Sequence, residues 1–177
     1  EYLVARGLAD PDRVCVDGRS AGGLTTLALL AHHGDVFRAG ASHFGVSDLS
    51  ALATDTHKFE SRYLDSLVGV WPDDKATFEE RSPMSAIDAF SRPCAFFQGT
   101  EDRVVPPNQA HLMHDALKAK GITTALEMFE GEGHGFRQAP NVRRALEGQL
   151  AFFGHVFGFE PADELAGGPL DIANPMR

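Results

Sequence analysis

The sequence predicts an α/β fold, a doubly wound and mostly parallel sheet with helices on both faces, and three observations carry that expectation. Short apolar runs alternate four times with stretches whose apolar residues recur at helical spacing. The first of these runs, Arg13 to Asp17, is bounded by Pro11 and Gly18, as buried strands are. The residues able to do chemistry fall in the loops after those runs, where a parallel sheet places its ligands. With 177 residues, 43% of them hydrophobic, the chain can bury one substantial core.

Taken in order, Glu1 to Arg6 reads as the end of a helix closed by Gly7, followed by the turn Ala9-Asp10-Pro11-Asp12. Arg13 to Asp17 reads as a buried strand and Leu24 to Ala31 as a helix ended by Gly34. Phe37 to Phe44 is the second strand, and Ser47-Asp48 caps a new turn. Leu49 to Ala89 is irregular, with short helical pieces and a charged stretch from Asp73 to Arg81, and reads as an excursion over the mouth of a site. Pro93 to Gln98 is the third strand. Pro106 and Pro107 open a helix with Ala110, Met113 and Leu117 inward and Gly121 at its end. Thr124 to Phe129 is the fourth strand, and Val142, Leu146, Leu150, Phe153 and Phe157 mark the expected core face of a long last helix. Residues 1–159 therefore form the folded unit. Residues 160–177, with three prolines and two adjacent glycines, read as a tail that wraps the surface or is disordered.

The stretch Gly18-Arg19-Ser20-Ala21-Gly22-Gly23 joins the first strand to its helix and reads as a nucleophile elbow. Gly18 and Gly22 supply the room that a serine on so sharp a turn requires. The Ala21 N–H, at a helix N-terminus, is the expected donor to a developing oxyanion. A phosphate loop would want a lysine there, and Arg19 is the only base. A serine hydroxyl needs a base to take its proton and an acid to orient that base. Asp102 follows the third strand and His134 the fourth, flanked by Gly133 and Gly135. The chain order Ser, Asp, His belongs to the α/β-hydrolase arrangement, with Glu101 as the rival acid in the same loop.

A net charge of −9 and a pI near 5.3 argue against nucleic acid, and no apolar run approaches the length of a membrane span. Cys15 and Cys94 lie in apolar runs and read as small hydrophobes in a reducing compartment, the cytoplasm, without a disulfide. His111 and His114 stand three apart on a helix but lack a third ligand nearby, so no metal or other cofactor is expected. His32 and His33 favour a helix C-terminus, and His43 and His57 have no assigned role.

The elbow, the acid segment Gln98 to Gln109 and the histidine segment Phe129 to Arg137 together resemble the prolyl oligopeptidase family of serine peptidases, above all its acylaminoacyl-peptidase and dipeptidyl-peptidase-like members. The likeness runs from Tyr2 to about Pro161. It implies an α/β-hydrolase catalytic domain acting on short peptides through an acyl-enzyme, with Ser20 as nucleophile, Asp102 as orienting acid, His134 as base and Ala21 as one oxyanion donor. An esterase or lipase using the same triad, and a silent hydrolase-fold binding module, are the competing readings. The resemblance places Phe44, Val46, Leu49 and Val104 around the pocket for the residue preceding the cleaved bond; the other reading of these four is ordinary core. The family's second oxyanion donor, its earlier strands and its β-propeller come from an N-terminal part that would be this chain's main partner besides the peptide. The chain then holds about the C-terminal half of the sheet, with Arg13 to Asp17 at an edge open to association between copies, and is expected to be inactive or nearly so alone.

Overall fold

One five-stranded sheet organises the computed structural model, which describes residues 1–55 and 62–176. Strands β1 (Cys15–Arg19), β2 (Ala39–His43), β3 (Cys94–Gly99) and β4 (Thr124–Phe129) lie side by side in that order and run parallel. Strand β5 (Ile172–Ala173) adds to β4 antiparallel. The helices are α1 (Tyr2–Ala5), α2 (Ala21–His32), α3 (Leu49–Asp55), α4 (Lys75–Arg81), α5 (Asn108–Ala119) and α6 (Ala139–Phe157). None of them is long and apolar enough to cross a membrane. His57 lies outside the described residues.

Strand alternation divides the core between two faces. On β3, Cys94 and Phe96 meet Leu27 and Leu30 of α2 and Met113 and Leu117 of α5, while Ala95 and Phe97 meet Ala145 and Phe152 of α6. Strand β2 is buried throughout, and Ala39 to Ser42 are small because helices press on it closely; a Cβ on Gly40 would fall 2.5 Å from Leu30 Cδ1. A third cluster, Val46, Leu49, Leu52, Phe78 and Val105, sits over the carboxyl ends of the strands. Buried Gln109 ties this excursion to α5: its Oε1 accepts from the Ser47 and Asp48 N–H groups at 2.9 and 2.8 Å.

Two expectations about burial change. Strand β1 does lie at the edge, and for that reason it is not a buried run: its exposure alternates and Cys15 is exposed, whereas Cys94 is buried. Both thiols are free, and burial pushes that of Cys94 far above its ordinary range. On α6 the core face is Ala145, Gly148, Phe152 and Phe153, not the stripe of branched residues. Gly148 approaches so closely that an added Cβ would lie 3.1 Å from Phe97 Cε1. Small residues let the helix down onto the sheet and leave Val142, Leu146 and Leu150 exposed.

The segment after α6 is pinned along the β4 edge. Arg144 pairs with Glu127 through Nε and Nη2 at 3.1 and 3.0 Å and donates to the Ala166 carbonyl. Further on, the Asn174 amide donates to the Lys118 and Ile122 carbonyls.

Candidate active site

Ser20 stands between the last residue of β1 and the first of α2, at φ 55° and ψ −120°. A non-glycine residue keeps such a conformation only when its surroundings impose it. The cause is the tightness of the turn: a Cβ on Gly18 would lie 2.1 Å from the Gly22 carbonyl oxygen. The second glycine required is Gly23 rather than Gly22. A Cβ on Gly23 would meet Gly45 Cα at 2.6 Å, whereas one on Gly22 would meet nothing within 4 Å. Helix α2 begins at Ala21, so its first N–H groups are presented beside the Ser20 hydroxyl.

Asp102 is almost fully buried in the loop after β3. Its Oδ1 accepts from the Val104 and Val105 N–H groups, both at 2.9 Å. Its Oδ2 accepts from His134 Nδ1 at 2.9 Å and from Gln98 Nε2 at 3.1 Å. Glu101, the rival acid, is exposed, and its backbone N–H donates to the Glu132 carbonyl.

His134 leaves β4 and must reach back past the ends of β3 and β2 to meet Ser20. With Nδ1–H donating to Asp102, Nε2 keeps its lone pair and accepts the Ser20 hydroxyl at 2.8 Å. The support under this span is Phe44, at the end of β2. Its backbone takes φ 39°, and its ring lies edge-on to the imidazole at 5.0 Å and 69°. Phe44 therefore does not line the apolar cavity beside Ser20, contrary to expectation; its turn aims it at His134 and Phe136 instead. His43 stands behind Phe44, stacked on Phe97, and burial pushes its pKa below the ordinary value. The ring bonds to Gln149 Oε1, and it is the His43 backbone carbonyl that meets the serine, accepting the Ser20 N–H at 3.0 Å.

Glu132 fastens the histidine loop. Its buried carboxylate accepts from the Arg137 and Gln138 N–H groups at the start of α6 and from Asn141 Nδ2, at 2.9, 2.9 and 3.0 Å. Burial alone would raise its pKa, but these donors and the Arg137 charge outweigh it and hold the carboxyl below its usual range. A depressed folded pKa stabilises above the unfolded value and ceases to do so as pH falls through the folded one. The Glu132→Gln protein is thus expected to melt roughly 2–6 °C below the wild type at neutral pH. The two melting curves should converge as pH drops below the ordinary carboxylate range. A gap that stays constant in acid would overturn this account.

Val46, Leu49 and Val104 line a cavity that opens at Ser20 and Ala21, and Leu24, Leu52, Leu64, Leu67, Val68 and Val105 add to its apolar wall beside Tyr63 and Arg81. Its volume of about 260 Å³ is small beside the ~300–1,000 Å³ of clefts that hold whole drug-sized ligands, so it suits one apolar side chain. Leu24 was legible as a lining residue from its place in the first turn after Ser20. The Leu52, Leu64 and Val68 contribution had no such signal, because it depends on how the excursion folds over. Elsewhere, His114 bonds to Asp115 at 3.0 Å, and no three metal-ligating side chains gather among the described residues.

Residues 1–160 match the prolyl oligopeptidase family. The chain belongs to that family. Among prolyl oligopeptidase family relatives, the dipeptidyl aminopeptidase BIII of Pseudoxanthomonas mexicana is 29% identical over 80% of this chain and 21% of its own length. The acylamino-acid-releasing enzyme of Arabidopsis thaliana is 28% identical over 76% of this chain and 18% of its own. The structure of a puromycin-hydrolyzing peptidase of Mycobacterium tuberculosis superposes with a TM-score of 0.89 at 45% identity, covering 97% of this chain and 26% of that one. The fold is the α/β-hydrolase fold of these peptidases, and the chain spans about a fifth to a quarter of their lengths.

Proposed function

We propose that the protein is a serine peptidase that hydrolyses short peptides through an acyl-enzyme. The observation that supports it most is the continuous row from Ser20 Oγ to His134 to Asp102, at 2.8 and 2.9 Å, standing at the N-terminus of α2. In this reading His134 Nε2 removes the hydroxyl proton as Ser20 Oγ attacks the carbonyl carbon, and Asp102 stabilises the imidazolium that forms. The Ala21 N–H and the dipole of α2 receive the charge on the carbonyl oxygen. His134 then returns the proton to the departing amine, and water repeats the sequence on the ester.

The apolar cavity beside Ser20 takes the side chain preceding the cleaved bond, with a preference for large apolar or aromatic residues. An amide of an aromatic amino acid, such as puromycin, is the first substrate to try, because the solved structure 45% identical to this chain is that of a puromycin-hydrolyzing peptidase. The family resemblance adds a second oxyanion donor, the rest of the sheet and a β-propeller from an N-terminal part, and the free thiols fit a cytoplasmic setting. Assembly of copies through β1 belongs to the same proposal.

Reaction of the full-length protein with a fluorophosphonate probe tests this reading. The expected adduct is stoichiometric and maps to Ser20. An unlabelled protein, or label spread over other hydroxyls, would refute it. Comparing amide with ester substrates of the same acyl group then separates a peptidase from an esterase.

A further inference from the structure

Gln98 is a fully buried polar side chain on β3 to which the mechanism above gives no task. Its Nε2 faces three acceptors: Asp102 Oδ2 at 3.1 Å, the Val105 carbonyl at 3.2 Å and the Gly99 carbonyl at 3.3 Å. Turned the other way, the amide would set its oxygen against three oxygens, so the NH2 group must point at the acid. Two hydrogens are shared among three acceptors, and the carboxylate is both the nearest and the strongest of them. Meanwhile Gln98 Oε1 is buried and finds no donor among the described residues. The side chain is held for what its nitrogen touches.

We propose that Gln98 is a positioning residue for the Ser20, His134 and Asp102 row, acting through Asp102 Oδ2. The inference rests on the serine-peptidase reading of that row. Oδ1 is already fixed by the Val104 and Val105 N–H groups, which act as a pivot about which the carboxylate can still turn. Oδ2 is the oxygen that meets His134, and Gln98 is the second donor to that same atom. It therefore does two things. It stops the rotation that would carry Oδ2 away from the imidazole, and it draws on the electron density that Oδ2 offers to the ring. Removing it has two separate consequences: an acid less well aimed lowers kcat, and an Oδ2 no longer shared with a second donor is a stronger acceptor toward the imidazolium, which moves the acid limb of the rate profile to higher pH.

The test is Gln98→Met in the full-length protein, a change that keeps length and removes both hydrogens. The expected result is a kcat lower by about tenfold with KM within about twofold, and an acid limb of the kcat/KM profile displaced upward by roughly half a pH unit. A merely structural role would lower the amount of folded enzyme without moving that limb. Wild-type kcat and an unmoved limb overturn the proposal. In the unaltered protein, labelled with 15N at glutamine Nε2, the Gln98 amide signal should follow the titration that kinetics assign to His134. A signal indifferent to that titration overturns the proposal whether or not the variant folds. Ser20→Ala made alongside separates the two levels: an inactive Ser20→Ala beside an unaltered Gln98→Met defeats this proposal alone, and turnover retained in Ser20→Ala defeats the reading on which it rests.

Discussion

The Ser20→Ala protein is expected to fold, to bind its peptide and to turn it over roughly 10⁴- to 10⁶-fold more slowly than the wild type. The loss falls on kcat because, in the proposed mechanism, the missing oxygen is the atom that forms the covalent bond, while the apolar cavity proposed for the neighbouring side chain keeps its wall. The fold survives because, among the described residues, the Ser20 hydroxyl bonds to His134 alone, and alanine meets the same backbone demand at φ 55° that serine does. Single-turnover kinetics and equilibrium binding of a peptide with an aromatic residue before the cleaved bond would measure both halves. Residual turnover above about one per cent would contradict the assignment of Ser20 as nucleophile.

Asp102→Asn is expected to lower kcat by about 10⁴-fold with little change in KM, through the tautomer of His134 rather than through its position. The two N–H groups of Val104 and Val105 require an acceptor, so the asparagine oxygen must take the Oδ1 site. Its NH2 group then occupies the Oδ2 site and faces both His134 Nδ1 and Gln98 Nε2. Nδ1 can answer only with its lone pair, which moves the ring proton to Nε2. A protonated Nε2 cannot accept the Ser20 hydroxyl. Two buried donors also face each other at Gln98, so the variant should be about 1–3 kcal/mol less stable. Steady-state kinetics with thermal melts would show both effects; a kcat within tenfold of wild type would remove Asp102 from the row.

Much of this arrangement was legible in the amino-acid sequence because it is written in local chemistry. The elbow is a glycine-rich turn around one serine, and the parallel strands begin in short runs rich in apolar and small residues. Consecutive strands lie side by side and run parallel, so the loops at their carboxyl ends bring Ser20, Asp102 and His134 to the same end of the sheet. What stayed hidden depends on approach between distant segments. Gly23 is required because Gly45 comes against it, and nothing near Gly23 in the sequence announces Gly45. The family resemblance placed Phe44 at the pocket, but the sign of its φ, invisible in the sequence, turns the ring toward His134. On α6 the apolar residues are too many for one face, and only the pressure of Gly148 on Phe97 decides which of them go inside. Glu132 and Gln98 look like any acid and any amide until the loop and the strand bring their partners to them.

The two margins of the sheet differ. The β4 margin is partly covered, β5 pairing with Thr124 and Ala125, whereas β1 has a neighbour on one side only among the described residues and is open along its whole length. A strand that joins there lies against Cys15–Arg19, and the backbone that adjoins Arg19 comes within reach of Ser20. In the proposed mechanism that margin is the side from which a further hydrogen-bond donor to the reacting oxygen would arrive.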